Sequence, residues 1–358
     1  MFGEIYSNRR VLVTGHTGFK GSWLCKWLEI LGAEVAGYSL APITNPNHFE
    51  LSNLKIKSYI HDIRDYHLIK RVMLDFKPEL VFHLAAQPSV LASYDNPLDT
   101  YSTNVMGAVN VLEASRHTDS VKSVVVVTTD KVYRNNEWNY CFRENDELGG
   151  HDPYSASKAS TELVTESYIK SFSKTNTDMP LIASARAGNV VGGGDWTKNR
   201  IIKDAIVAAS KDKKVLIRNP NSSRPWQHVL EPLSGYLLLG QHLHQRNFDI
   251  VGSWNFGPAL SANLTVKDLV QLMGEQWDKV VGECHIDSSA KHEAQSLMID
   301  STKARSVLGW KPIWDIKKTV QYTIEWYRMY LEENFVITDE QIKRYLNTAK
   351  ENELIWAY

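Results

Sequence analysis

Cysteine is scarce in this chain. Its 358 residues hold three, Cys25, Cys141 and Cys284, far apart and with no CxxC pair. Such a set argues against a disulfide framework or a cysteine-based zinc site and fits a reducing, cytoplasmic compartment. Long apolar runs are missing too. No stretch approaches the roughly 20 residues of a membrane-spanning helix, and the start, MFGEIYSNRR, lacks the apolar core of a signal peptide. Nor does one sign of charge dominate. A formal net charge of −1 gives no electrostatic reason to expect nucleic acid or an anionic membrane as partner, so any anion must be held by local groups. His83 lies in an apolar run and reads as a satisfied core residue. His151 and His228 read as loop residues without a ligand at metal-binding spacing, and no metal is expected.

What is present is the composition of a folded protein. Hydrophobic residues make up 43% and charged residues 23%, which disfavours disorder. The length allows a large two-lobed domain or two domains. Residues 10–14 read as a short apolar strand, followed at once by Gly15-His16-Thr17-Gly18-Phe19-Lys20-Gly21. Residues 22–31 have helical spacing, with Leu24, Trp27, Leu28 and Leu31 on one face, and Gly32 ends that helix. Residues 34–39 read as a second strand, 68–76 as a helix stopping before Pro78, 80–84 as a buried strand, and 123–128 as the strongest strand of all. This alternation predicts an α/β fold: a Rossmann-type doubly wound parallel sheet with a smaller C-terminal substrate-binding lobe. Beyond about Gly188, Gly192-Gly193-Gly194, Asn219-Pro220-Asn221 and Arg224-Pro225 break the pattern into loops. A helix is expected at 265–277 and a polar surface helix at 338–350. The expected division is a dinucleotide-binding domain over 1–188, with segments near 226–256 returning to it, and the second lobe over most of 189–358.

A glycine-rich turn between a strand and a helix has a physical purpose. Its glycines allow a tight turn, close approach of the backbone to a pyrophosphate, and close packing of helix on strand. The helix N-terminus then offers N–H groups and a favourable dipole to the phosphate. The spacing Gly15-x-x-Gly18-x-x-Gly21 is the extended short-chain variant and predicts dinucleotide binding. The end of the second strand carries Gly37, Tyr38 and Ser39, neither an acid for a ribose nor an arginine for a 2′-phosphate, so this position leaves NAD and NADP open. Asp62 reads either as a carboxylate for the adenine amino group or as a helix cap.

Tyr154 and Lys158 form a YxxxK pair, four apart and so on one helical face. A nearby ammonium favours the phenolate, which predicts a lowered Tyr154 pKa and a usable general base. Between turn and pair stands Thr128-Thr129-Asp130-Lys131-Val132-Tyr133, at the C-terminal end of the 123–128 strand, where ligands of open parallel sheets bind. Simple hydride transfer needs only a hydroxyl there. An added acid and amine suit a second proton exchange, such as loss of water.

These segments, with residues 186–196, 224–229 and Gly309-Trp310-Lys311-Pro312, resemble the CDP-D-glucose 4,6-dehydratases of the extended short-chain dehydrogenase/reductase, sugar-nucleotide dehydratase family, over nearly the whole chain. The resemblance implies bound, recycled NAD and a CDP-glucose substrate that is oxidised at C4, loses water across C5 and C6, and is reduced at C6. Tyr154 would take the 4-hydroxyl proton, with Lys158 beside it. Thr129 would hold the 4-oxygen, and Asp130 would protonate the departing 6-hydroxyl. Lys131 would be the C5 base, which requires a depressed pKa, or else an electrostatic stabiliser of the enolate. Related dTDP-glucose dehydratases place a glutamate where Lys131 stands. The resemblance further implies a cofactor site of Gly15, Thr17, Gly18, Phe19, Gly21, Asp62, Ile63, Ala85, Ala86, Gln87, Asn104, Tyr154, Lys158 and Val190. Its substrate site would comprise Gln87, Thr129, Asn189, Arg200 and Arg224, with Arg224 on the diphosphate. Trp196 and Trp226 either flank the nucleotide or pack in the core. A dimer or tetramer is implied, with 88–96 and 104–116 as candidate contact helices, and a usual destination in bacterial surface polysaccharides.

Two other readings compete. One is a GDP-mannose, dTDP- or UDP-glucose dehydratase or 4-epimerase; Lys131 speaks against the dTDP type, and Asp130-Lys131 against an epimerase. The other is a catalytically silent dinucleotide-binding protein, which needs neither Tyr154-Lys158 nor Thr129-Asp130-Lys131.

Overall fold

Val11 to Val13 have no polar side chain to satisfy and are buried on both faces, the pattern of an interior parallel strand. In the computed structural model, which describes residues 1–138, 140–173, 178–284 and 297–358, they sit near the middle of a seven-stranded sheet. Its strands are β1 (Arg10–Thr14), β2 (Glu34–Ser39), β3 (Lys57–Ile60), β4 (Leu80–His83), β5 (Ser123–Val127), β6 (Leu181–Ala187) and β7 (Gly252–Phe256). The order is β7-β6-β5-β4-β1-β2-β3, and every neighbouring pair is parallel.

Alternate side chains feed two cores. Val11, Val13, Phe82, Val125 and Val127 pack with α1 (Phe19–Ile30). Leu12, Ala36, Val81, Val124, Val126 and Ile182 pack on the other face, under α2 (Tyr66–Phe76), α3 (Gly107–Arg116) and α4 (Pro153–Tyr168). A fifth helix, α5 (Leu230–His244), joins α1 on the first face and lies on β5 and β6. The chain runs outward from β1 in one direction and from β4 in the other. The crevice beyond the strand C-termini at this reversal is where such sheets bind ligands.

Strands at 57–60 and 181–187 were not expected, because polar residues interrupt their apolar pattern. Past Gly188, three small two-stranded sheets join 190–191 with 227–228, 223–225 with 263–265, and 215–217 with 282–284. The helix Thr338–Glu351 is not purely a surface element. Ile342, Tyr345 and Ala349 are fully buried, and the Tyr345 ring lies 5.6 Å from that of Trp27 on α1. The apolar stripe of that amphipathic segment covers α1. No helix among the described residues is long and apolar enough to cross a membrane.

Candidate active site

The turn after β1 is shaped as a cradle. Gly15 has φ +76°, and a Cβ there would lie 2.7 Å from the Ala85 nitrogen, so a side chain is excluded by both conformation and space. A Cβ on Gly21 would lie 2.1 Å from the Gly15 carbonyl, so helix and turn pack backbone to backbone. Gly18 is the N-cap of α1 and no side chain caps that end, so no side chain of the turn competes for the first N–H groups. This backbone fits a pyrophosphate. Thr17 is held at the end of β2 by bonds to Ser39 Oγ (2.9 Å) and the Leu40 carbonyl (2.8 Å). Phe19 packs against Gly192 from the start of α1.

Asp62 lies just past β3 in the same crevice. Its carboxylate accepts from the backbone N–H of Arg64 (2.9 Å) and pairs with the Arg64 guanidinium, which also reaches Asp99 at 2.7 Å. Arg64 holds the Asp62 carboxyl below the usual range. Ile63 is buried against Gly107, and its carbonyl accepts from Asn110.

The segment after β4 is pinned from two sides. The Ala85 N–H donates to Thr14 Oγ1 at 3.2 Å, and Ala86 follows it along the same turn. Asn104 Oδ1 accepts from the Gln87 N–H at 2.8 Å, while its Nδ2 donates to the Gln87 carbonyl and to Ser157 Oγ. Asn104 sits in a π-helical turn, Ser102–Met106, a bulge that turns its amide toward α4. The Gln87 side-chain amide donates to the Ser89 carbonyl at 3.0 Å and to Thr100 Oγ1 at 2.9 Å, and its oxygen accepts from the Ser89 N–H. His83 is a core residue, bonded to Thr14 Oγ1 at 2.7 Å and pushed down to about 3 by burial.

Thr129 caps the single turn Asp130–Val132 at the end of β5. Its hydroxyl donates to Asp130 Oδ1 at 2.9 Å. The other carboxyl oxygen of Asp130 is buried and has no partner among the described residues. Burial raises the Asp130 pKa, and the charges of Lys131, Arg224 and Lys20, with the Thr129 hydroxyl, pull against that. Tyr154 stands on the first turn of α4, whose N-cap Asp152 accepts from the Ser155 N–H at 2.9 Å. Thr129 lies close enough to Tyr154 for its hydroxyl to act on the phenol.

The Tyr154 shift runs opposite to the lowering that its lysine neighbour led one to expect. Burial pushes the phenol up, to about 12, with the Asp130 charge adding to the rise and Thr129 opposing it. Lys158 is one turn further along α4, where its ammonium donates to the Val127 carbonyl at 3.1 Å. Burial and the charge of Lys20 bring Lys158 down to about 8. Burial outweighs any help the ammonium gives the phenolate.

The chain beyond Gly188 brings further cations to this spot. Arg224 is buried and acts on Asp130, and its guanidinium donates to the Ser223 carbonyl at 2.8 Å. Arg200 caps the helix Ile201–Ala209, half exposed, 3.8 Å from Asp195, and its charge acts on Tyr154 and Lys20. Asn189 and Val190 lie at the end of β6, with the Asn189 carbonyl accepting from the Gln227 N–H at 3.1 Å. Trp226 is buried, its indole bonded to the Leu264 carbonyl at 3.0 Å, and Trp196 packs edge-on to Tyr327 and Tyr330. Trp226 is a core residue, and Trp196 is half-buried against the edge of the same core.

Three residues near the reacting groups had drawn no attention in the sequence. Lys20 lies inside the glycine run, and burial with the charge of Arg200 pushes it down to about 8. An ammonium in a turn built for phosphate was its available signal. Tyr236 of α5 is fully buried close enough to act on Tyr154 and Asp130, with a hydroxyl unpartnered among the described residues. Glu162 sits one turn past Lys158. Tyr236 and Glu162 lie in helical patterns that read as packing. No cluster of three or more His, Cys, Asp or Glu suited to a metal occurs among the described residues.

A parallel sheet with a glycine cradle at its reversal point, and a YxxxK helix facing a Thr-Asp-Lys turn, define a dinucleotide-dependent enzyme of the extended short-chain dehydrogenase type. The chain belongs to the GDP-mannose 4,6 dehydratase family, whose pattern matches residues 12–323. It is 43% identical over 353 residues to the CDP-glucose 4,6-dehydratase of Salmonella typhimurium, covering 97% of this chain and 98% of that one. Identity to the dTDP-D-glucose 4,6-dehydratase of Mus musculus is 26%, with 89% of each chain covered. Among solved structures, an epimerase from Methanothermobacter thermautotrophicus superposes with a TM-score of 0.81 at 23% identity, over 93% of this chain and 96% of that one. The UDP-glucose 4-epimerase of Thermotoga maritima gives 0.77 at 24%, over 90% and 99%. At that identity the superpositions bear on the fold.

Proposed function

We propose that this enzyme is a hydro-lyase that converts CDP-glucose to CDP-4-keto-6-deoxy-D-glucose and water, with NAD as a recycled cofactor. The observation that carries this reading is the buried Asp130 carboxyl with one unpartnered oxygen, its other oxygen bonded to the Thr129 hydroxyl, which in turn acts on the phenol of Tyr154. A plain dehydrogenase or epimerase has no use for a second acid at that point. The close relationship to a CDP-glucose 4,6-dehydratase supports the nucleotide.

NAD, when bound, supplies a hydride acceptor at C4 and a hydride donor at C6. Gly15, Thr17, Gly18, Phe19 and Gly21 would hold its pyrophosphate side; Asp62 and Ile63 its adenine; Ala85, Ala86, Gln87, Asn104 and Val190 the approach to the nicotinamide. Thr129 positions the sugar 4-oxygen, and Tyr154 takes the 4-hydroxyl proton. The phenolate is a costly anion in this pocket, and the charge of Arg200 lowers its cost, with Lys158 one turn along the same helix. The 4-ketone acidifies the C5 proton, for which Lys131 is either the base or the cation that stabilises the resulting enolate. Asp130 gives its proton to the departing 6-hydroxyl. Burial favours the protonated Asp130 carboxyl, the form that can give up a proton.

Arg224, Arg200, Asn189 and Gln87 form the substrate side, with Arg224 opposite the diphosphate. In this reading residues 1–188 with α5 and β7 serve the cofactor, and most of 189–358 serves the sugar nucleotide. The enzyme works in the cytoplasm as a homo-oligomer, in supply of bacterial surface polysaccharide such as lipopolysaccharide O-antigen. Incubation with NAD and each of CDP-glucose, dTDP-glucose, UDP-glucose and GDP-mannose tests the substrate. An alkali-absorbing keto sugar from CDP-glucose is expected, and its appearance from another nucleotide alone overturns the cytidine assignment.

A further inference from the structure

Glu162 and Arg186 form an ion pair at 2.8 Å, with side chains 2% and 3% exposed. Burying such a pair carries a desolvation penalty of roughly several kcal/mol per ion, and apolar residues of similar volume often serve stability as well. Neither residue touches the glycine cradle or enters the proton steps described above. Their other bonds indicate what the pair does.

One Glu162 oxygen accepts from the Thr128 hydroxyl. The other accepts from Ser184 Oγ at 2.7 Å and from Arg186 at 2.8 Å. Arg186 turns its remaining terminal nitrogen to the Tyr133 hydroxyl at 2.8 Å and to the Glu144 carbonyl at 3.0 Å. The Tyr133 hydroxyl donates onward to Asn255 Oδ1 at 2.7 Å. Thr128 directly precedes Thr129-Asp130-Lys131-Val132, and Tyr133 directly follows it. The ion pair therefore grips the residues on both sides of the catalytic turn. Glu162 also lies four residues past Lys158 and eight past Tyr154 on α4, so all three share one helical face. Burial alone would raise the Glu162 carboxyl, but Arg186, Ser184 and Thr128 together hold it below the ordinary range, and it keeps its charge.

We infer that Glu162 and Arg186 are positioning residues, which fix the turn carrying Thr129, Asp130 and Lys131 against the helix carrying Tyr154 and Lys158. The inference rests on the reading of these five groups given above. Displacement of a reacting group by ~1 Å can cost on the order of 10²-fold in rate without affecting binding. The pair is thus a device for kcat, not for substrate affinity.

Substituting Glu162 itself would strand a buried guanidinium, so the test removes the tethers and leaves the pair intact. Thr128→Val deletes one tether, Tyr133→Phe the other, and Thr128→Ser keeps the hydroxyl. With CDP-glucose and NAD, Thr128→Val and Tyr133→Phe are each expected to lower kcat by about tenfold with KM within about twofold, and Thr128→Ser to recover kcat to within about twofold. A fall in melting temperature with kcat unchanged would assign the network to stability alone and overturn the inference. So would equal loss in Thr128→Ser and Thr128→Val. If Thr128→Val does not fold, Tyr133→Phe decides by the same criteria. The unmodified protein is assayed in parallel. If it makes no keto sugar, the functional reading fails. If it turns over and the variants match it, only the positioning role fails.

Discussion

The Thr129 hydroxyl donates to one oxygen of Asp130 at 2.9 Å, and the second oxygen of that carboxyl is buried with no partner among the described residues. A proton can sit on the second oxygen without breaking an existing bond. This is the form a general acid needs, and burial favours it. Asp130→Asn keeps the shape and removes the transferable proton. Its kcat is expected to fall by at least about 10²-fold, the usual range for losing a positioned acid. Its melting temperature should hold or rise, since a neutral amide replaces a carboxyl that is costly to ionise there. A kcat near that of the unmodified protein would remove Asp130 from the chemistry.

The cradle predicts an ordering of glycine substitutions. A methyl at Gly15 meets the Ala85 backbone at 2.7 Å and requires a left-handed φ, whereas one at Gly18 meets only the Gly15 carbonyl at 3.3 Å. Gly15→Ala must shift the surface that a pyrophosphate approaches and is expected to weaken NAD binding on the order of tenfold or more, with Gly18→Ala losing less. Titration of tryptophan fluorescence with NAD measures both. The reverse ordering would place the dinucleotide elsewhere.

The parts that could be read in advance were those whose physics is local. The 3-residue glycine spacing and the 4-residue YxxxK spacing each imply a geometry by themselves. The Asp130-Lys131 pair stands out because its two chemistries are adjacent. Glu162 and Arg186 escaped notice because their partners are brought in by sheet order: Thr128 just past β5, Ser184 on β6 and Ser253 on β7 meet only once those strands are side by side. The Tyr154 shift was misjudged for a related reason. The lysine is visible in the sequence, but the depth of burial that overrides it is not. Trp196 and Trp226 were ambiguous because a ring has the same pattern whether it faces a nucleotide or a core.

Arg224 offers a test that separates binding from chemistry. It is buried, and its charge lowers the pKa of Asp130. Opposite a diphosphate, its loss should raise KM by about 10-fold or more, as expected for losing a charge-assisted contact. Arg224→Met also removes a positive neighbour from Asp130. The Asp130 proton is then retained to higher pH, and the high-pH fall in kcat should move upward. Unchanged KM with an unchanged pH profile would put Arg224 outside the site.

Glu231 predicts a stability signature away from the chemistry. It is fully buried on the first turn of α5 and accepts from the Trp314 N–H (2.7 Å), the Ile313 N–H (3.0 Å) and the Tyr345 hydroxyl (2.7 Å). These bonds join α5 to the segments that carry the C-terminal helices. No cation among the described residues pairs with it, and burial pushes its carboxyl from 4.5 up to about 7 despite those donors. A carboxyl whose folded pKa is raised stabilises the fold most in its protonated form. That contribution is full below the unfolded value and is lost as pH rises through the folded one. The shift corresponds to about 3 kcal/mol between about pH 5 and pH 8. Glu231→Gln carries no titrating proton, so the difference in stability between variant and unmodified protein should drift in favour of the variant across that window. Loss of a donor match gives only a constant offset, so the slope is the decisive quantity. Parallel denaturation curves at about pH 5, 6, 7 and 8 measure it. A flat difference would mean that the three hydrogen bonds hold Glu231 ionised throughout.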